Sequence, residues 1–306
     1  MQIITDRLSG LEIGQPTTYR NMDVYPLLGA KLGEASYMTL DDALAQGCAE
    51  ITEVSDQGSV PELRFLNTGD KPILLLDGEE LVGAKQNRVL NLTILAPAND
   101  AITIPVSCVE SGRWNRKSRK FSTSSRAHYA RGRARKMEQV SASMDLNRGR
   151  RSDQSEVWSD IDAKMSRLHS ASPTSAMSDM YESHAEKLDG YVTHVSPSEG
   201  QVGAIFAIDG KIVGLELFDH SETLAKLLPK LVLSYALDAI EVADRAGDKS
   251  DKIGAQAILD LCVDAEVKRF DAIGEGEDLR LSSSKIAGAA LVSDGQIVHL
   301  CGFASA

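Results

Sequence analysis

The chain has 306 residues, 42% hydrophobic and 25% charged, with a formal net charge of −11. These are the proportions of a globular protein large enough to bury a sizeable core. An aromatic content of only 5% argues against a base-stacking platform for single-stranded nucleic acid. No apolar run approaches the ~18–20 residues that span a bilayer.

The start, M-Q-I-I-T-D-R-L, lacks the basic opening and apolar middle of a secretion signal. Cys48, Cys108, Cys262 and Cys301 are widely scattered, which points to neither a disulfide scaffold nor a zinc knuckle. A cytoplasmic protein is expected.

Along the chain, residues 11–30 read as an extended opening that ends at Gly29. Thr39 is a suitable N-cap for a short helix through Leu40, Ala43 and Leu44, stopped by Gly47. Residues 48–54 alternate as a strand. Short strands are predicted over 62–66, 72–76, 88–95 and 102–109, with turn residues between them at the spacing of a sandwich or barrel. Residues 115–151 are rich in Arg and Ser and poor in large apolar side chains, which suggests exposed helices or a partly ordered insertion.

Val157, Trp158, Ile161, Met165 and Leu168 recur near the helical period and predict a helix over 153–168. A loop over 170–179 and a short helix over 180–188 follow. Asp209-Gly210 and Asp294-Gly295 each separate two apolar runs, a hairpin signal over 202–217 and again over 286–302. Between the hairpins the pattern predicts helices over 222–243, interrupted or restarted at Pro229, and over 253–270. The expected fold is α+β in a single domain. Its parts are a β-rich sandwich- or barrel-like region over 1–112, a basic helical segment over 113–190, and β-hairpins with helices over 191–306.

Charge is unevenly placed. Thirteen Lys or Arg residues lie from Arg113 to Arg151, opposed only by Glu138 and Asp145, so a positive segment sits in an acidic body. It could contact nucleic-acid phosphates, pack against acidic groups as one wall of an anion pocket, or be solvated. The acidic remainder makes nucleic acid the least favoured partner.

The densest chemistry runs from Asp77 to Trp114, in D-G-E-E-L-V-G-A-K-Q-N-R and S-C-V-E-S-G-R-W. Burying so many polar groups beside core strands is costly unless they are paired, which suggests a polar pocket. Within a strand, residues two apart share a face, so Cys108 goes with Glu110, and Gln86 with Arg88. Arg88 and Arg113 would hold phosphate or carboxylate, Gln86 a hydroxyl, and Trp114 would cover a ring. Glu110 or Glu79 would serve as acid or base, and Cys108 as a nucleophile if arginines lower its pKa.

Plainer readings stand beside these. Cys108 can be a small buried hydrophobe, and Glu110 with Arg113, or Glu79 with Arg88, can be structural ion pairs. Glu80 is expected to face solvent, Trp114 to pack, and His299 to be a satisfied core histidine. Six scattered histidines give no metal-ligand spacing and no metal is expected, although Asp77, Glu79 and Glu80 could bind a hard cation weakly; no cofactor motif is present.

The runs L-L-L-D-G-E-E-L-V-G-A-K-Q-N-R-V-L-N and I-P-V-S-C-V-E-S-G-R-W resemble the ARG- and rhodanese-phosphatase-superfamily-associated protein domain family. The likeness extends to V-Y-P-L-L-G, D-Q-S-E-V-W, L-V-L-S-Y-A-L-D-A and V-H-L-C-G-F. It implies a role in processing ADP-ribose or related NAD-derived phosphorylated metabolites, alongside ADP-ribosylglycohydrolase- or phosphatase-like proteins. The positions it carries across are Glu79, Gln86, Arg88, Cys108, Glu110, Arg113 and Trp114. A non-catalytic ligand-sensing or partner-recruiting module is the alternative.

Overall fold

The computed structural model describes residues 2–30, 33–55, 57–115, 117–242 and 252–305. Its class is α+β. Two compact units divide the chain. One takes Met1–Ala35, Glu186–Ala272 and Gly276–Ala306; the other takes Ser36–Ala185 with the short return Ile273–Glu275.

The first unit is an antiparallel sheet. Its order is Glu12–Ile13, Met22–Leu28, Gln201–Ile208, Lys211–Phe218, Gln296–Ala304, Ile286–Ser293, Glu277–Ser282 and Glu266–Asp271, with Thr17–Tyr19 also paired to Met22–Leu28. The two predicted hairpins form its centre. Both turns place Asp and then Gly at positive φ (49° and 74° at Asp209-Gly210, 50° and 71° at Asp294-Gly295). That geometry matches the twist of the flanking strands.

On one face Ile205, Leu215, Leu217 and Leu300 pack with Ile4 and Leu8 of the helix Gln2–Ser9 and with Ile258, Leu259 and Cys262 of the helix Lys252–Asp264. On the other face the Tyr235 ring, from the helix Ser221–Val242, stacks on Phe206 at 3.8 Å. That helix runs through Pro229 without a break. Burial of Leu224, Leu227, Leu228 and Leu231 around the proline outweighs its missing hydrogen bond.

Two expectations need correction in this unit. Residues 253–270 are not one helix, because the helix ends at Asp264 and Glu266–Asp271 is an outer strand. Its side chains are mostly exposed, so apolar periodicity carries no strand signal there. Glu277–Ser282 is a further strand that went unread. The opening of the chain does not belong to the first β-rich region either. Met22–Leu28 pairs with Gln201–Ile208, Met22 opposite Ile208 and Leu28 opposite Gln201.

The second unit is built on a six-stranded sheet ordered Phe121–Ala127, Glu79–Gly83, Arg88–Leu90, Asp100–Cys108, Glu62–Asn67 and Ala49–Glu53. An antiparallel bridge between Thr52 and Lys120 joins its two outer edges. The sheet therefore closes like a barrel, around Ile51, Leu63, Phe65, Leu81, Leu90, Ile104, Val106 and Phe121. A small sheet of Met38–Thr39, Ile73–Leu75 and Ile94–Ala96 accompanies it.

Thr39 does cap the helix Leu40–Ala45, its hydroxyl accepting the Asp42 N–H at 3.3 Å. The predicted strand 88–95 splits at Asn91. The Asn91 N–H donates to Pro105 at 3.1 Å and its side-chain oxygen accepts the Ser107 hydroxyl at 2.6 Å. The basic segment is no insertion. Phe121–Ala127 is a barrel strand paired with Glu79–Gly83, and the helix Ala130–Asp145 buries Arg133, Lys136, Met137 and Val140.

Candidate functional site

The two motif strands lie side by side in the barrel. Glu79–Gly83 and Arg88–Leu90 form a hairpin with Leu81 opposite Arg88 and Glu80 opposite Val89. Arg88–Leu90 in turn pairs with Asp100–Cys108, placing Arg88 opposite Cys108. Two residues on from Leu90 and Val106, which are core residues, Arg88 and Cys108 extend the inward-facing row to the barrel's end. Glu53 extends Ile51 in the same way.

Glu110 and Arg113 are locked together. Arg113 Nε donates to Glu110 Oε1 at 2.7 Å and Nη2 to Oε2 at 2.6 Å. Its remaining donors reach the carbonyls of Ala84 at 2.8 Å and Asn115 at 2.9 Å, and the Asn87 side-chain oxygen at 3.2 Å. Glu110 also accepts the Asn87 N–H at 3.0 Å and the Thr174 hydroxyl at 3.0 Å. Burial opposes ionisation of Glu110, but Arg113 and these donors hold its pKa below the usual carboxylate range. Every strong donor and acceptor of the pair is committed within the protein. Their geometry is that of an ion pair bracing the loop, with Glu110 accepting and Arg113 donating.

Arg88 is different. It is fully buried, and its Nη1 donates to Gln86 Oε1 at 3.0 Å and to the Asn87 carbonyl at 3.4 Å. The Gln86 amide is fixed in turn, its Nε2 donating to the Glu110 carbonyl at 2.9 Å. Arg88 Nε and Nη2 have no hydrogen-bond partner. Those two atoms form the edge that grips a carboxylate or phosphate with two parallel hydrogen bonds. Burial lowers the Arg88 pKa, and the nearby Cys108 and Glu53 act in the opposite direction. Arg88 Cζ lies 5.8 Å from the centroid of the Trp114 ring and Lys85 Nζ 5.1 Å, both within cation–π range. Trp114 is 46% exposed, so its ring is also open to solvent.

Cys108 is held by two residues that the sequence reading did not place in the site. Gln154, first residue of the helix Gln154–Arg167, accepts the Cys108 N–H and donates to the Cys108 carbonyl, both at 2.8 Å. One turn on, Trp158 brings its indole N–H toward the thiol. That N–H is buried and makes no well-formed hydrogen bond. Burial raises the Cys108 pKa, against the pull of Arg88, so the thiol is neutral at ordinary pH. The signal was present in D-Q-S-E-V-W: Gln154 and Trp158 are four apart and share a helix face.

The two adjacent glutamates are both buried. Glu79 Oε2 accepts the Leu76 N–H at 3.2 Å. Glu80 does not face solvent as expected. Its Oε2 accepts the Ser124 hydroxyl at 2.8 Å while Oε1 has no partner. Burial pushes its pKa up to about 7, opposed by Ser124 and Arg126. Alternation points it away from the Arg88 face of the strand.

Asp77, which opens the motif, anchors the basic segment. Arg133 Nε donates to its Oδ2 at 3.2 Å, and Lys136 Nζ bonds its Oδ1 and also the Leu90 carbonyl, at 2.8 Å. All three side chains are buried. With Arg113, at least three of the thirteen basic residues thus serve the barrel's structure rather than a solvated face. Burial works against the Asp77 carboxylate, yet Lys136 and Arg133 hold its pKa down.

A family model for the ARG and Rhodanese-Phosphatase-superfamily-associated Protein domain, ARPP-1, matches residues 10–303, nearly the whole chain. The chain belongs to this family. The ARPP-1 name links it to the ARG and rhodanese-phosphatase superfamily. No curated protein and no solved structure is similar enough to match. Among the described residues of this ARPP-1 chain, no helix is long and apolar enough to cross a membrane.

Proposed function

We propose that the barrel end of the ARPP-1 chain binds the phosphate or carboxylate of a small metabolite, of the kind carried by ADP-ribose and related NAD-derived compounds. One observation carries this reading: a fully buried arginine whose Nε and Nη2 edge is left unused while its Nη1 is pinned by Gln86. A buried charged donor without a partner is costly to maintain, and an oxyanion supplies what is missing. Trp114, beside the guanidinium and partly exposed, is suited to cover a ring of the same ligand. Glu53 offsets the arginine's charge when no ligand is bound.

Binding is favoured over thiol chemistry, because Cys108 is neutral and its backbone is clamped by Gln154. Thermal unfolding of the chain with ADP-ribose, ADP, NAD and inorganic phosphate tests the proposal. A ligand present at a hundred times its dissociation constant adds about 2.7 kcal/mol of stability. That gain is expected for at least one of the four and is expected to vanish in Arg88→Met. No stabilisation by any of them removes the reading. Chromatography of the incubated ligands separates binding from processing: with Cys108→Ser, binding and ligand turnover are both expected to match the wild type.

A further inference from the structure

The register of the first unit's sheet sets Glu216 opposite Cys301 and Phe218 opposite His299. Residues 216 and 218 share one face, as do 299 and 301. A carboxylate, an imidazole and a thiol therefore converge on the face where Tyr235 packs. Their ligand atoms all lie within 4.8 Å of one another, and all three side chains are buried.

His299 Nε2 lies 3.1 Å from Glu216 Oε2. The Tyr235 hydroxyl donates to the other oxygen, Oε1, at 3.2 Å. Gly214 makes room for it, since a Cβ there would fall 2.5 Å from the Tyr235 oxygen. The Phe218 ring stacks on the imidazole at 4.7 Å.

A buried Glu–His pair alone has a plain explanation, since the two groups satisfy one another. It does not account for a cysteine sulfur in the same spot. Two anionic donors, a carboxylate and a thiolate, balance the charge of a divalent ion, and a neutral imidazole completes the trio. Cys, His and carboxylate are the donors that zinc accepts, and three protein ligands leave a fourth position for water. Tyr235 then takes the part of the outer partner that orients a ligating carboxylate.

We propose that Glu216, His299 and Cys301 bind a divalent ion of the zinc class. The spacing in sequence hides this, because Glu216 comes from a different hairpin and reaches the other two only through strand pairing. The site shares no residue with the Arg88 barrel, so either proposal can fail alone.

The full chain, stripped with a chelator and dialysed against Co²⁺, is expected to retain about one ion per chain. It should show a thiolate-to-cobalt charge-transfer band in the near ultraviolet. Cys301→Ser and His299→Ala are expected to lose the band, and Cys108→Ser to keep it. X-ray absorption of the zinc-loaded wild-type chain needs no variant and so does not depend on one folding. It is expected to show one sulfur at about 2.3 Å with nitrogen or oxygen completing the shell. Uptake far below one ion per chain, a band that survives Cys301→Ser, or a first shell without sulfur overturns the proposal.

Discussion

Two buried arginines in the same barrel make opposite use of the same side chain. Arg113 places its donors on Glu110, Asn87 and backbone carbonyls. Arg88 places one nitrogen and leaves an edge of two empty. A guanidinium whose hydrogen bonds are complete is part of the scaffold. One held by a single nitrogen, with its forked edge unfilled, is the arginine on which the proposed oxyanion would sit. Burial alone does not separate the two arginines; the tally of hydrogen bonds does.

The contrast can be broken by measurement. Arg113→Leu leaves Glu110 as a buried carboxylate without its partner and is expected to cost about 3–5 kcal/mol in urea unfolding. A loss below about 1 kcal/mol would mean that the lock is not structural.

Glu80, another buried group with an unused atom, gives a pH signature. Its folded pKa, about 7, lies above its ordinary value, so the folded state binds the extra proton between roughly pH 4.5 and 7. Its contribution is fully present below that window and is lost as pH rises through it, by on the order of 3 kcal/mol. Stability measured across this range in the wild type and in Glu80→Gln should differ in slope, the variant being flatter. Parallel curves would dismiss the shifted carboxyl.

Arg88→Met is the sharpest comparison. Removing a buried, half-satisfied charge is expected to leave stability within about 1 kcal/mol of the wild type while abolishing oxyanion binding. If it destabilises as much as Arg113→Leu, the two arginines are alike and the distinction fails. Trp114→Ala is expected to have the smallest effect, a loss of about 0.5–1 kcal/mol in ligand affinity from a partly exposed cation–π contact. Calorimetry would show it as a few-fold weaker dissociation constant.

Parts of this architecture were legible in the residues, and the reasons are local. Asp209-Gly210 and Asp294-Gly295 marked both hairpins because only such pairs tolerate two positive φ angles in a row. Thr39 marked its helix because the cap is a single side-chain interaction. Glu266–Asp271 was lost because an outer strand has little to bury. Phe121–Ala127 was lost because its register shifts beyond Thr123 and its middle is polar.

In the site, both motif runs were visible, but the roles within them were not. Arg88 and Arg113 are the same letter, and only their partners, from Ala84 to Asn115, tell them apart. Glu80 read as solvent-facing because nothing nearby in sequence announces Ser124 as its cover. Gln154 was overlooked because its target, the Cys108 backbone, is invisible to any side-chain pattern.

The seam between Thr52 and Lys120 has a consequence for behaviour at high concentration. Where that bridge forms, the two rims of the curled sheet meet each other, which limits the ladder positions offered to a neighbouring molecule. The open sheet lacks this protection, and it ends on Glu266–Asp271, where Glu266, Lys268, Arg269 and Asp271 crowd six positions with charge. Such a fringe repels an incoming strand that a run of valines would welcome. Replacing Lys268 and Arg269 with threonine is therefore expected to leave the chain folded yet make it associate further on concentration, as light scattering would reveal.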